Sequence, residues 1–238
     1  IKILLDAAVS AGRITHELRD QLLAGVADEV AALVLADNYA QAQAISVTER
    51  LGAVSLDRHT QVMRQVEAEG GLDRELEFLP DDETLAQRRS AGLGLTRPEI
   101  AVMLAVSKND VTARILASDV PDDPYLRPCA AGYLPPLLRG EFADLMDTHP
   151  LRREIVTAAV VNDLFNHMGS GLLLRLMQLT GEPEHRAVVG YVTARDLLGL
   201  RELWADIDRL DIATHADAQV QVLVEIRRVV EQVGLWLL

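Results

Sequence analysis

Helical spacing of apolar residues is the feature that most constrains this chain. Apolar residues recur every three or four positions in nearly every segment, and the β-branched residues follow the same spacing instead of alternating in twos. Strand signals are therefore almost absent, and no repeat of fixed period is present. The sequence predicts an all-α protein.

The best-defined helix begins just after two glycines, Gly92 and Gly94. Thr96 can cap its first turn, and Glu99, three residues later, can accept a hydrogen bond from the Thr96 amide as the second half of a capping box. Turn-forming residues at 118–121 end the helix, and an acidic loop follows. We expect Glu99→Gln to be milder than Thr96→Ala. The rival hypothesis is an anion-binding loop that uses Arg97 and the helix N-terminus.

Further helices are predicted from apolar stripes bounded by Gly, Pro and capping residues. They cover residues 1–10, 15–44, 46–51, 56–69, 81–90, 137–147, 151–168, 172–179, 183–198, 200–210 and 216–238. The stripe of the second helix is expected in the core, namely Leu18, Leu22, Leu23, Val26, Val30, Leu33 and Val34. Gly, Pro and acidic residues concentrate between 70 and 94, so we expect a domain boundary there.

The chain of 238 residues is 49% hydrophobic, which is sufficient for a substantial core. Its net charge of −13 disfavours binding to nucleic acid or to an anionic membrane, so we expect protein or small-molecule partners. The lone Cys129 cannot form an internal disulfide and fits a reducing cytoplasm. No apolar run approaches the roughly 20 residues that span a bilayer. The start at Ile1, without Met or a leader, suggests a fragment of a longer protein.

Three motifs resemble known site types only weakly. Gly92-Leu93-Gly94 lacks the third glycine and the preceding strand of a phosphate-binding loop, and is expected to cap a helix C-terminus. The histidines are not at metal-ligand spacing and are expected to be solvated or capping: His16, His59, His149, His167, His185 and His215. Asp122-Asp123 could be an acid–base pair, but turn formation between two prolines is favoured.

Other polar and aromatic residues allow a site and a structural alternative. Lys108 could titrate low in an apolar setting, although a solvated or salt-bridged Lys is favoured. Asn162 and Asn166 lie one helical turn apart and are expected to pin a neighbouring loop or helix end rather than to bind a ligand. Asp37-Asn38-Tyr39 is expected to cap or pack at the end of a helix, or else to face an adjoining domain. Trp204 and Trp236 are expected to be core or interface anchors.

Several separated motifs, in order, resemble one family. They are Gly94–Val102, Leu116–Leu126, Leu151–Val156, Asn162 and Asn166 before Gly169, Leu33–Gln41, Leu76–Pro80 and Leu223–Arg228. Together they resemble the C-terminal region of the large bacterial NAD-specific glutamate dehydrogenases over nearly the whole chain. The sequence departs from the family pattern at Ser107-Lys108-Asn109, where a more apolar helix is expected, and at Cys129-Ala130-Ala131.

The resemblance implies how the chain is organised. Residues 1–70 would be helices leaving an upstream Rossmann-type catalytic domain, residues 71–94 a connector, and residues 95–238 a helical C-terminal domain. It also implies that NAD binds upstream, and that the parent protein is a homo-oligomer that converts L-glutamate, NAD and water to 2-oxoglutarate, ammonium and NADH. In this chain we expect no catalytic, cofactor-binding or metal-binding residue. The alternatives are a stand-alone helical interaction or regulatory module and, with less support because aromatic residues are only 4% of the chain, an all-α ligand carrier.

Overall fold

The computed structural model describes residues 1–210 and 215–238. Within these ranges the chain forms thirteen α-helices, three short 3-10 helices and no strand, which confirms the all-α fold class. The helices are α1 Lys2–Ser10, α2 His16–Gly25, α3 Ala27–Leu51, α4 Ala53–Ala68, α5 Asp82–Ser90, α6 Arg97–Ala117, α7 Arg127–Gly132, α8 Pro136–Phe142, α9 Arg152–Met168, α10 Leu172–Thr180, α11 Glu184–Leu197, α12 Leu200–Arg209 and α13 Ala216–Leu237. None of the described helices has the length and apolar character needed to cross a membrane.

Most helix ends lie within a residue or two of the predicted ones because side-chain caps and glycines define them. The Thr15 hydroxyl accepts a hydrogen bond from the Leu18 amide (3.2 Å) at the start of α2. The Asp81 carboxylate accepts one from the Thr84 amide (2.8 Å) at the start of α5. Gly92, with φ +69°, ends α5 in the left-handed conformation that favours glycine, so the predicted C-terminal cap is confirmed.

The second predicted helix is wrong in its extent. The structure divides it at Val26, and α3 then runs without interruption to Leu51. Ser46 does not begin a new helix, because its hydroxyl donates to the Ala42 carbonyl of the same helix (3.1 Å). Asp37-Asn38-Tyr39 therefore lies inside α3, and its predicted role as a cap at the helix end is wrong.

The predicted core stripe of this region is also wrong in part. Val26 is buried, but Leu18 is 41% exposed, Leu33 39% and Val34 54%. Every residue from 31 to 36 is exposed. This Ala-Ala-Leu-Val-Leu-Ala segment of α3 therefore presents apolar side chains on all sides.

Two compact units make up the described chain. The first contains Ile1–Tyr39 and Arg114–Val161. Its core includes Leu5 of α1 and Phe142 at the end of α8, both fully buried. Arg13 donates to the Asp144 carboxylate (2.6 Å) and to the Glu141 carbonyl, and its guanidinium lies 5.6 Å from the centre of the Phe142 ring. These contacts hold the residues after α1 against the region that follows α8.

The second unit contains Ala40–Ala113 and Asn162–Leu238. Met63 of α4, Met103 of α6 and Tyr191 of α11 are fully buried within it. Two of its turns are in unusually close contact. A Cβ atom at Gly94 would lie 2.7 Å from the backbone carbonyl carbon of Gly52, so glycine is required where the turn before α6 meets the turn between α3 and α4.

Candidate functional site

The start of α6 is held mainly by Glu99. Its carboxylate accepts the Thr96 amide hydrogen bond (2.7 Å), which confirms one half of the predicted capping box, and also two hydrogen bonds from Arg88 of α5 (2.5 and 2.8 Å). Burial raises the pKa of Glu99, but the hydrogen bonds from Arg88 and Thr96 outweigh burial and leave this pKa below its usual value. Glu99 therefore joins α5 to α6 as an ionised carboxylate.

We now expect Glu99→Gln to destabilise the protein more than Thr96→Ala, which reverses the order expected from the sequence. The Gln amide keeps the helix cap but loses the bidentate ion pair of a side chain that is 12% exposed, so the free energy of unfolding should fall by about 1–3 kcal/mol. Thr96→Ala should cost about 0.5–2 kcal/mol. Urea unfolding of the two variants measures both, and an equal or smaller loss for Glu99→Gln would contradict this assignment.

Arg97 is engaged in an ion pair, which disfavours the anion-loop hypothesis. Its guanidinium donates to the Glu49 carboxylate (2.6 Å) and to the Ser46 hydroxyl (3.1 Å), both on α3. Both partners of the ion pair are about half exposed. Arg97 thus serves to attach α6 to α3, and Arg97→Ala provides a mild control, worth about 0–1 kcal/mol, for the Glu99 variant.

The acidic loop after α6 has the structural role favoured from the sequence. The Asp123 carboxylate accepts a hydrogen bond from the Tyr125 amide (2.9 Å) and so forms the turn. Asp122 forms ion pairs with Arg152 (2.8 Å) and Arg153 at the start of α9. The two carboxylates thus have different partners, and they do not form a shared acid–base pair.

The histidines differ in part from expectation. The His149 Nδ1 accepts a hydrogen bond from the amide of Leu151 (3.1 Å), the residue just before α9, and so stabilises the turn that leads into this helix. His59, expected to be solvated or capping, is only 3% exposed, and burial together with the nearby charges of Arg58 and Arg227 lowers its pKa to about 4. It is therefore a neutral core residue at physiological pH. No group of three His, Cys, Asp or Glu side chains that could hold a metal ion occurs in the described ranges.

Lys108 and Asn166 meet between α6 and α9. The Lys108 amine donates to the Asn166 side-chain carbonyl at 3.5 Å, and Asn166 is only 8% exposed. Lys108 is thus partly buried rather than fully solvated. Asn166 contacts the middle of a neighbouring helix, whereas the sequence predicts contact with a loop or a helix end. Asn162, one turn away, is half-buried. The arrangement is that of a polar contact between helices.

A buried ionic network next to these residues joins positions that are distant in sequence. The Asp163 carboxylate on α9 accepts hydrogen bonds from Arg195 (2.6 Å) and from the Tyr191 hydroxyl (2.9 Å), both on α11. Arg195, 1% exposed, also donates twice to Asp196 (2.6 and 2.8 Å). His167 donates from Nδ1 to the Asp163 carbonyl (2.8 Å) and stacks on the buried Trp204, with ring centres 3.6 Å apart.

The charges of this network fix the protonation states of its members. Burial raises the pKa of Asp163, but the hydrogen bond from His167 and the charges of His167 and Arg195 outweigh burial. The pKa therefore lies below its ordinary value, and the carboxylate stays ionised. Burial and the Asp163 charge raise the pKa of Tyr191 well above its ordinary value, so its hydroxyl stays protonated. The Tyr191 proton and the Asp163 carboxylate are both committed to the bonds that join α9 to α11.

Arg227 is a second buried cation, and it lies on the apolar stripe of α13. It is 8% exposed and donates to the His167 carbonyl (2.6 Å), the Thr48 hydroxyl (3.0 Å) and the Ala44 carbonyl (3.4 Å). None of these acceptors carries a full charge, and none of the described carboxylates forms an ion pair with Arg227. Burial lowers its pKa to about 9, which still leaves it protonated at neutral pH.

A cavity of about 220 Å³ lies beside Arg227 within the second unit. Its polar lining consists of Ser55, Arg58, Arg227, Arg228, Glu231 and Gln232. Arg58 donates twice to Glu231 (2.9 and 3.3 Å) across the gap between α4 and α13. Gly171 lies beneath Arg58, whose Cδ would overlap a Cβ at this position, so the glycine leaves room for the arginine.

Comparison with protein families identifies the chain. Residues 92–238 match the family described as glutamate dehydrogenase, C-terminal, and residues 1–48 match the catalytic domain of bacterial NAD-glutamate dehydrogenase. The chain belongs to the C-terminal region of the bacterial NAD-specific glutamate dehydrogenase family. The resemblance seen in the sequence motifs is thereby confirmed.

Three curated NAD-specific glutamate dehydrogenases match over the full length of this chain. They are those of Pseudomonas aeruginosa (42% identity), Halomonas elongata (39%) and Mycobacterium tuberculosis (35%). The chain spans only 14–15% of each relative. It is therefore similar to a small part of much longer glutamate dehydrogenases.

The two family matches divide the helices between them. The catalytic-domain match covers α1, α2 and α3 as far as residue 48, and the C-terminal match begins between α5 and α6. The exposed apolar segment at residues 31–36 thus lies within the match to the catalytic domain. The boundaries near 70 and 94 remain a prediction.

Proposed function

We propose that this chain is the C-terminal helical part of an NAD-dependent glutamate dehydrogenase. The parent protein would oxidise L-glutamate, with NAD and water, to 2-oxoglutarate, ammonium and NADH. NAD and the reacting groups would be held upstream, and this chain would supply structure and contacts. A homo-oligomeric, cytoplasmic parent without nucleic-acid or membrane partners is part of the proposal.

The exposed apolar segment of α3 carries this proposal. A helix that is apolar on all sides is normally buried, yet Leu33, Val34 and Leu35 are 39%, 54% and 68% exposed. Tyr39, one turn later, is 38% exposed. Because this segment falls within the match to the catalytic domain, we propose that the upstream part of that domain, in the same polypeptide, covers it.

The polar interior supports a structural role for the chain. The Asp163 and Arg195 side chains, which are 18% and 1% exposed, are bonded to each other and to further side chains. Lys108, the only lysine other than Lys2, contacts Asn166. A glutamate dehydrogenase needs a positioned general base and a nucleotide site, and we propose that both lie upstream of this chain.

The 238-residue chain alone is expected to form no NADH from glutamate and NAD, whereas the full-length parent is expected to do so. Both should be assayed by absorbance of NADH, with a mock purification as the contaminant control. Circular dichroism should first establish that the isolated chain is helical, so that inactivity is not caused by misfolding.

The two halves of the proposal fail separately. Turnover by the isolated chain would overturn its non-catalytic role. An inactive full-length parent would overturn the enzyme assignment and leave a helical interaction module, for which the same exposed segment of α3 would be the contact surface.

A further inference from the structure

We infer that the cavity beside Arg227 binds a small anion that carries a carboxylate or phosphate group. Three arginines line it, Arg58, Arg227 and Arg228, against one carboxylate, Glu231. This local excess of positive charge occurs in a chain with a net charge of −13. The inference is independent of the reaction proposed for the parent protein.

The charge of Arg227 is not balanced by a carboxylate. Its three hydrogen bonds go to two carbonyls and a hydroxyl, which satisfy the geometry of its donors but leave its full charge in a buried position. In a site of low dielectric constant a neighbouring anion interacts with such a charge far more strongly than it would in water. An anion in the adjacent cavity would therefore stabilise the buried cation.

The carboxylate of Glu231 is already bound by an arginine of the cavity lining. It accepts two hydrogen bonds from Arg58, in the paired geometry that arginine forms with carboxylate and phosphate groups. Arg175 lies 3.5 Å from the same carboxylate. Glu231 pairs with Arg58, and Glu225 pairs with Arg228 (2.7 Å), so these two carboxylates leave the charge of Arg227 unbalanced. A second anion in the cavity would engage that charge.

The start of α10 also suits an anion. α10 begins at Leu172, which lines the cavity, and no side chain caps this helix N-terminus. The first turn of α10 contains no acidic residue. The positive end of its dipole is therefore uncompensated by its own side chains.

The size of the cavity limits the ligand. At about 220 Å³ it is smaller than the roughly 300–1,000 Å³ that is typical of drug-sized ligands. A dinucleotide is excluded on this basis. A dicarboxylate or inorganic phosphate is of suitable size.

The test is isothermal titration of the full-length parent with succinate and, separately, with inorganic phosphate, at constant ionic strength set with chloride. We expect saturable binding of at least one probe. Binding of succinate alone would identify a carboxylate site, and binding of phosphate alone a phosphate site. Binding of both would indicate recognition of the shared negative charge. Saturable binding of neither would overturn the inference.

Three variants locate the site. Arg228→Gln should weaken binding about fivefold, as expected for loss of a charge-assisted hydrogen bond at a partly solvated rim. Arg209→Gln is the matched control, because Arg209 forms the same kind of exposed i,i+3 ion pair, with Asp206, but does not line the cavity. Glu231→Gln should strengthen binding about twofold or more, because it removes the competing carboxylate.

The opposing effects of these variants distinguish binding in the cavity from a response of the anion to the net charge of the protein. Equal affinities for Arg228→Gln and Arg209→Gln, or weaker binding by Glu231→Gln, would overturn the inference. Melting temperatures of all three variants should be measured in the absence of the probes to establish that each is folded.

Discussion

Replacing Asp163 with alanine is expected to lower the free energy of unfolding by about 3–5 kcal/mol, because it leaves the buried Arg195 without its carboxylate partner on α9. Asp196 remains bonded to Arg195 and keeps the loss from being larger. The Tyr191 hydroxyl, fully buried, would also lose its carboxylate acceptor and keep only the Asp163 backbone carbonyl (3.2 Å). The loss in the free energy of unfolding therefore comes from the buried groups that are left with fewer bonding partners, and not from one broken contact alone.

Trp204 allows this prediction to be measured locally. It stacks on His167 beside the network, and the chain has only one other tryptophan, the 80% exposed Trp236. In a Trp236→Phe background, urea unfolding followed by fluorescence reports on this region alone. The matched control is Asp206→Ala, which removes an exposed ion pair and should cost no more than about 1 kcal/mol. Similar losses for both variants would contradict the assignment.

The Asp163→Asn variant keeps the size and shape of the side chain and removes its charge, so it measures the contribution of the charge to stability. The folded-state pKa of Asp163 lies below its unfolded value of 3.8, so its ionisation contributes stability that is complete above that value and is lost as the pH falls through the folded pKa. The asparagine variant should be less stable than wild type at pH 7. It should also lose less stability than wild type when the pH is lowered from 5 towards 2.

In the full-length parent, Leu35→Asp is expected to abolish most of the glutamate-dependent activity or to prevent assembly. A carboxylate placed in a covered apolar contact would cost several kcal/mol. In the isolated 238-residue chain Leu35 is 68% exposed, so the same substitution should leave the melting temperature nearly unchanged. The defect should thus appear only where the catalytic region is present.

Leu197→Asp is the matched control for this experiment. Leu197 is 65% exposed at the end of α11 and lies outside the match to the catalytic domain. It should leave activity in the parent close to wild type. Full activity of Leu35→Asp, or an equal defect in Leu197→Asp, would contradict the proposed contact.

The sequence predicts structure where the determinant is local. Thr15 and Asp81 cap helices at the expected positions, and Gly92 ends one. The extent of α3 is not predicted correctly from its apolar residues, because their spacing changes along the helix. The absence of glycine and proline between 27 and 51 is the feature that agrees with one continuous helix. Leu33 and Val34 have the spacing of core residues, but burial depends on which other part of the protein covers them, and the described residues do not.

The buried charges were missed because their partners are distant in sequence. Asp163 and Arg195 are 32 residues apart, and Thr48 and Arg227 are 179 apart, so no short motif joins them. Arg227 also lies at a position where the helical stripe predicts an apolar side chain. A charged residue within an apolar stripe was the available signal for both Asp163 and Arg227.

The contact between Gly52 and Gly94 limits which substitutions homologues of this chain can accept at position 94. A side chain at position 94 would require the backbone of the α3–α4 turn to move, because the overlapping atoms at Gly52 are backbone atoms that have no alternative rotamer. Position 94 therefore cannot change independently of the turn at 52. Among homologues that retain this packing, we expect a larger residue at 94 to occur only together with a change of length or conformation at the α3–α4 turn.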